Sequence, residues 1–429
     1  MNKELLSYIE KSPSMFHAVE TTADLLNENG FICLNESSKW TLLPEGKYYT
    51  TRNGSSLLAW RMPKDDFTGF MAMAAHSDSP LLKLKENAEV IDEHYVRISV
   101  EKYGGPIFAS WFDRPLSIAG RVLVRTDNGF DEKLVDLAKP VAVIPSLAIH
   151  MNREANDKAS YNIAVDMLPL FSENGSRTPT LYSVLAKKLG IKEKDILTTE
   201  LYMYNCQKGI VWNNYISAPR LDDLQCAFAG VRSLINADES KAIPVFCLFD
   251  NEEVGSGTRQ GAASTFLADI INRICTDLGL SNEEQLQKIA NSFMISADNA
   301  HAVHPNHPEY RDPSNSVYMN KGIVLKYSAS QSYTTDAISA AIMKLICEQA
   351  DVPVQVFANR ADLRGGSTLG HISTAQVSVP TVDIGCAQLA MHSCFETAGA
   401  LDTEYMVKAV TKYFSSAIEK DDKGYHFVG

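Results

Sequence analysis

The chain has 429 residues, of which 40 are lysine or arginine and 52 aspartate or glutamate, for a formal net charge of −12. That length predicts two or three domains with an ample core, and the acidic balance disfavours nucleic acid as a partner. No window approaches a membrane span, Met1-Asn2-Lys3-Glu4-Leu5-Leu6-Ser7-Tyr8 lacks an apolar signal core, and the eight cysteines form no paired framework, so the expectation is a reducing cytoplasm without membrane attachment.

Along the chain, apolar runs stop repeatedly at residues able to bind a metal. Phe70-Met71-Ala72-Met73-Ala74-Ala75 leads into His76-Ser77-Asp78-Ser79-Pro80. From about residue 86 the pattern becomes strand-rich: 96–100 and 119–125 read as strands, and Asp127-Asn128-Gly129 is a hairpin turn signal. From about 216 helix-like segments return, at 223–235 and 334–348, alternating with short apolar strands. Asp222, in Pro219-Arg220-Leu221-Asp222-Asp223, is placed to cap the first of these helices. Ile323-Val324-Leu325-Lys326 is a further apolar run, ending in a cation. The resulting expectation is a three-layer α/β/α domain built from 1–85 and 216–429, split by a β-rich insertion over 86–215.

The most informative segment is Phe249-Asp250-Asn251-Glu252-Glu253-Val254-Gly255-Ser256, where an apolar strand ends in adjacent carboxylates. Neighbouring side chains on an extended or turning backbone point different ways, so one glutamate can bind an ion while the other faces substrate. A charged loop after a strand is the bland alternative, and the other segments weigh against it. Ser296-Ala297 leads into Asp298, and Thr381-Val382-Asp383-Ile384-Gly385 leads, after a short loop, into Met391-His392. In an open α/β sheet such loops converge beyond the carboxyl ends of the strands. His76, Asp222, Glu253, Asp298 and His392 then form a ligand set suited to one or two divalent ions such as zinc, manganese or cobalt. Asp78 and Glu252 stand beside them, available to orient His76 and to accept a proton. His301 and His304 have the spacing of one helical face and are expected to be wall or surface residues with His307.

These motifs closely resemble the aspartyl aminopeptidase family of di-zinc metallopeptidases. The resemblance runs from Ser12-Pro13-Ser14-Met15-Phe16-His17 to Met391-His392-Ser393, and includes Trp111-Phe112-Asp113-Arg114. It implies a bridging Asp222, one ion completed by His76 and Asp298, and another by Glu253 and His392. Glu252 resembles the general base and Asp78 the carboxylate that orients His76. The insertion resembles a dimerisation domain, with dimers assembling into a tetrahedral dodecamer and His150 reaching a neighbouring subunit's active site. Lys326 resembles a lysine near the substrate, suited to an aspartyl or glutamyl side chain at a peptide's N-terminus. Met15, Phe108-Ala109-Ser110, Pro115 and Ser332 depart from the usual pattern, in loops that shape specificity or assembly. A related di-metal hydrolase of other specificity and an inactive metal-bound scaffold are the competing readings.

Overall fold

The computed structural model describes residues 1–176, 178–363 and 365–428. Its largest sheet has nine strands, and the three at its centre are Ile243–Phe249, Phe70–His76 and Phe293–Ala297, in that order and mutually parallel. Strands of this kind are buried on both faces and therefore read as continuous apolar runs. Phe70–His76 is buried at every position.

The two-residue period of a strand divides its side chains between two layers. Met71, Met73 and Ala75 pack with Leu224 and Phe228 of helix Leu221–Asn236 and with Val407 and Val410 of helix Asp402–Phe414. Phe70, Ala72 and Ala74 pack on the opposite side with Phe266, Ile270 and Ile274 of helix Phe266–Asp277. This is the expected three-layer arrangement. The expected helix over 334–348 begins at Ala337, because Asp336 accepts the Ser339 amide at 2.8 Å and closes a capping box.

A second, wholly antiparallel sheet of six strands lies between these halves in sequence, from Leu81–Ile91 to Ile196–Asn205. It has its own core, in which Leu82, Ile98, Ile118, Val122 and Leu201 meet Leu185 of helix Leu181–Leu189. The Asp127-Asn128-Gly129 signal closes the hairpin of Leu116–Thr126 with Gly129–Asp136. Leu81 already pairs with Tyr103, so the first strand of this sheet begins before residue 86. A smaller sheet joins Tyr215–Ala218, Glu396–Gly399, Ala387–Leu389 and Ala300–His301. His301 therefore lies on a strand pairing with Gln388, and the helical turn suggested by the 301/304 spacing does not form. Among the described residues no helix is long and apolar enough to cross a membrane.

Candidate metal centre

Three parallel strands end side by side, and their last residues deliver most of the candidate site. His76 closes Phe70–His76, Asp298 follows Phe293–Ala297, and Glu252 and Glu253 occupy one tight turn after Ile243–Phe249. Asn251, at φ 64°, turns the chain into that pair. Asp222 lies at the opening of helix Leu221–Asn236 but with a non-helical backbone, and it makes no capping hydrogen bond from its side chain. The expected cap is absent because this carboxylate faces the two imidazoles instead. His76 Nε2 lies 3.5 Å from Asp222 Oδ1, and His392 Nε2 lies 3.5 Å from Asp222 Oδ2 and 3.6 Å from Glu253 Oε2.

Ligand atoms of His76, Asp222, Asp223 and Asp298 lie within 4.8 Å of one another, as do those of Asp222, Glu253 and His392. Asp222 belongs to both groups. Its Oδ1 and Glu253 Oε1 are buried without a hydrogen-bond partner. Unpaired buried oxygens are costly, so these two suit coordination to a cation. The donor set is imidazole and carboxylate, as zinc, manganese and cobalt accept. The eight cysteines are all free and none joins these groups.

Asp78 does more than the sequence suggests. The nearest acceptor to His76 Nδ1 is the Asp78 backbone carbonyl at 3.0 Å, with the carboxylate Oδ1 at 3.4 Å. That carboxylate accepts the amides of Glu252 at 3.2 Å and Glu253 at 3.1 Å, together with the Tyr103 hydroxyl at 2.8 Å. It thereby holds the glutamate turn against the strand that carries His76.

Lys326 is buried, 2% exposed, with Nζ 3.3 Å from Asp298 Oδ2 and over the Tyr333 ring. It lines, with His76, Glu252, Asp298 and His392, a cavity of about 360 Å³. His301 lines the same cavity. His304 and His307 stack at 5.3 Å outside it, and His307 faces Glu309. His150 is exposed in a turn after Ile149 and does not approach the ligand set within the subunit. Three contributors carried no individual sequence signal: Asp223, whose Oδ2 accepts the His76 amide at 3.2 Å, Tyr103, and Glu396.

Burial and the crowded charges pull against each other across the site, and burial prevails at the glutamates and Asp298 but not at His76, Asp222 or Lys326. Burial pushes the Glu252 carboxyl up to about 8, with Asp298 and Asp78 adding and His76 opposing. It raises Asp298 to about 6 against the pull of Lys326, and raises Glu253 well above the ordinary range, with Asp222 adding. Asp222 itself falls to about 2, because the attraction of His76, His392 and Lys326 outweighs its burial. For Lys326 burial opposes the charge, yet Asp298 holds its pKa above the usual value.

The family described as aminopeptidase I zinc metalloprotease (M18) matches residues 8–414. A protein of Clostridium acetobutylicum described as "Probable M18 family aminopeptidase 2" is 42% identical over 424 residues, covering 96% of this chain and 98% of that one. Among solved structures, an Ape4 chain in a cryo-EM complex with Nbr1 superposes with a TM-score of 0.93 at 35% identity, over 96% of this chain and 85% of that one. The S. cerevisiae mApe1 dodecamer superposes with a TM-score of 0.83 at 29% identity, over 96% of both chains.

Metal uptake should release protons. Ligand oxygens must be deprotonated, and a raised pKa means that a proton competes for the site until the pH exceeds it. Zinc affinity should therefore climb with pH from about 6 upward, because Asp298 is raised to about 6 and both Glu253 and His76 are raised well above their ordinary values. Titration calorimetry in buffers of different ionisation enthalpy measures this directly, and a binding enthalpy independent of buffer at pH 6 would contradict it.

Proposed function

The chain belongs to the aminopeptidase I zinc metalloprotease family (M18) and is a metal-dependent aminopeptidase; we propose that it removes acidic residues from peptide N-termini using two ions per subunit. The observation that carries the two-ion reading is the pair of imidazoles facing opposite oxygens of Asp222. In this reading His76 and Asp298 would hold one ion and Glu253 and His392 the other, with Asp222 available to both. When bound, the metal supplies Lewis acidity, polarising the scissile carbonyl and making water acidic enough to yield its proton near neutral pH.

Glu252 receives that proton and delivers it to the departing amine. Its raised pKa suits both halves of the task, since an efficient proton carrier titrates near the working pH. Asp78 keeps Glu252 in place through the turn amides. Lys326 lies on the cavity wall, buried and charged, where a substrate carboxylate would otherwise be desolvated without a partner.

The S. cerevisiae relative, described as a dodecamer, supports assembly into a homo-oligomer, and in this reading residues 86–215 form the dimerisation domain. His150 is flanked by Leu147, Ile149 and Met151, which are 59%, 49% and 77% exposed. Such an apolar surface favours burial against another subunit, and this supports action of His150 in a neighbouring active site.

Replacing Glu252 by Gln should leave bound metal and fold intact while lowering turnover of aspartyl substrates by ~10²–10⁴. Activity within a few-fold of the wild type, at equal metal content, would remove Glu252 from the mechanism. Lys326→Met should depress kcat/KM for aspartyl and glutamyl anilides far more than for leucyl and alanyl ones. The loss of one partner of a buried pair, about 3–5 kcal/mol, is enough to reverse the preference. Equal losses across that panel would assign Lys326 to Asp298 alone. Mixing Glu252→Gln subunits with His150→Ala subunits should recover part of the activity, and hetero-oligomers that form without recovery would exclude action in trans.

A further inference from the structure

One carboxylate outside the ligand set touches the backbone of two of its members. Glu396 is 1% exposed, and its Oε2 accepts the Asp222 amide at 3.0 Å while its Oε1 accepts the His392 amide at 2.7 Å. Topology puts it there. The strand Glu396–Gly399 lies between Tyr215–Ala218, whose chain continues to Asp222, and Ala387–Leu389, whose chain continues to His392. Glu396 is the first residue of that central strand and pairs with Ala218, so its side chain reaches the point where both neighbouring chains leave the sheet.

Both departing segments adopt backbone conformations that need support. His392 has φ 69° and Ala390 φ 57°, and Arg220, two residues before Asp222, has φ 58°. Residues other than glycine seldom hold the left-handed region, and they do so where the surroundings over-determine it. Glu396 also lines a small cavity with Asp222, Trp111 and Arg220, and it does not line the cavity that His76, Glu252 and Lys326 share.

We infer that Glu396 is a positioning residue that sets the separation and orientation of Asp222 and His392, and thereby the affinity for the ion they share. The inference rests on the two-ion reading above. Each carboxylate oxygen serves one ligand, so both oxygens are needed at full reach. An amide at this position presents an N–H₂ to one of the two donors and loses that hydrogen bond. An aspartate keeps both oxygens but is one methylene shorter and cannot reach both amides.

The experiment is zinc binding by competition with a chromophoric chelator, on the full-length wild type, Glu396→Gln and Glu396→Asp. Thermal unfolding of the chelator-treated proteins runs alongside. Partners that orient metal ligands are worth about 10–100-fold in metal affinity, and a loss of that size at one of two ions is expected for both variants, with the chelated proteins melting close to the wild type. In steady-state kinetics kcat should fall while KM stays near its original value. Unchanged zinc affinity would overturn the inference. So would full retention by Glu396→Asp, which would show that charge alone suffices, and so would equal loss at both ions with a collapsed melting point. Failure of the wild type to bind a second ion would defeat the two-ion reading itself.

Discussion

The arrangement depends on one constraint: several carboxylates share a buried pocket, and each must find a partner other than water. Asp78, Asp222, Asp223 and Glu396 are each at most 2% exposed, and Asp298 is 9% exposed. Burying an ion costs several kcal/mol even after relaxation. A hydrogen bond to a charged group returns about 1.5–3 kcal/mol, so two backbone amides per carboxylate recover part of that cost, although burial still keeps Glu396 well above the ordinary carboxylate range. Asp78 receives the amides of Glu252 and Glu253, and Glu396 those of Asp222 and His392. Asp402 uses the same device on Asn320 and Gly322, away from the site. Oxygens on Asp222, Asp223 and Glu253 are left without a hydrogen-bond partner, in residues whose donor atoms cluster closely enough to suit a cation.

This device also explains why supporting residues come from several sheets. The candidate ligands His76, Glu253 and Asp298 lie at the ends of strands of the nine-stranded sheet, yet groups that contact them arrive from elsewhere. Tyr103, at the end of a strand of the six-stranded sheet, donates to Asp78 and accepts from Asn251. Gly105 O lies 3.1 Å from His392 Nδ1, and the Ile107 amide donates to the His392 carbonyl. Gly104, at φ 70°, passes so close to Glu253 that an added Cβ would meet its side chain at 3.0 Å. The end of one insertion strand thus contacts Glu253, His392 and Asp78. These contacts tie the insertion to the candidate metal centre.

The clustering of the candidate ligands was legible in the sequence because most of them sit in a local context that announces itself. An apolar run long enough for a buried strand, followed by His76, Asp298 or Glu252-Glu253, marks a strand end, and parallel strand ends meet in space. The two-residue period separating Met71 and Met73 from Phe70 and Ala72 fixes which layer each faces. The family resemblance named the roles, but the residue types and their positions at strand ends were readable without it.

What the sequence could not supply was the register and the sign of φ. Glu396 and Tyr103 are an ordinary glutamate and tyrosine in strands. Their roles arise because strand pairing sets Glu396 opposite Ala218 and brings Tyr103 to Asp78. His301 had the spacing of a helix and became a strand residue because Ala387–Leu389 offered it a parallel partner. Asp222 had the position of a helix cap and was drawn instead toward His76 and His392. Local pattern by itself marked out the candidate residues, since burial and periodicity act over a few neighbours. Only the tertiary structure decided which backbone amides hold the carboxylates in place, because those partners lie far apart in the chain and meet only once the sheets have formed.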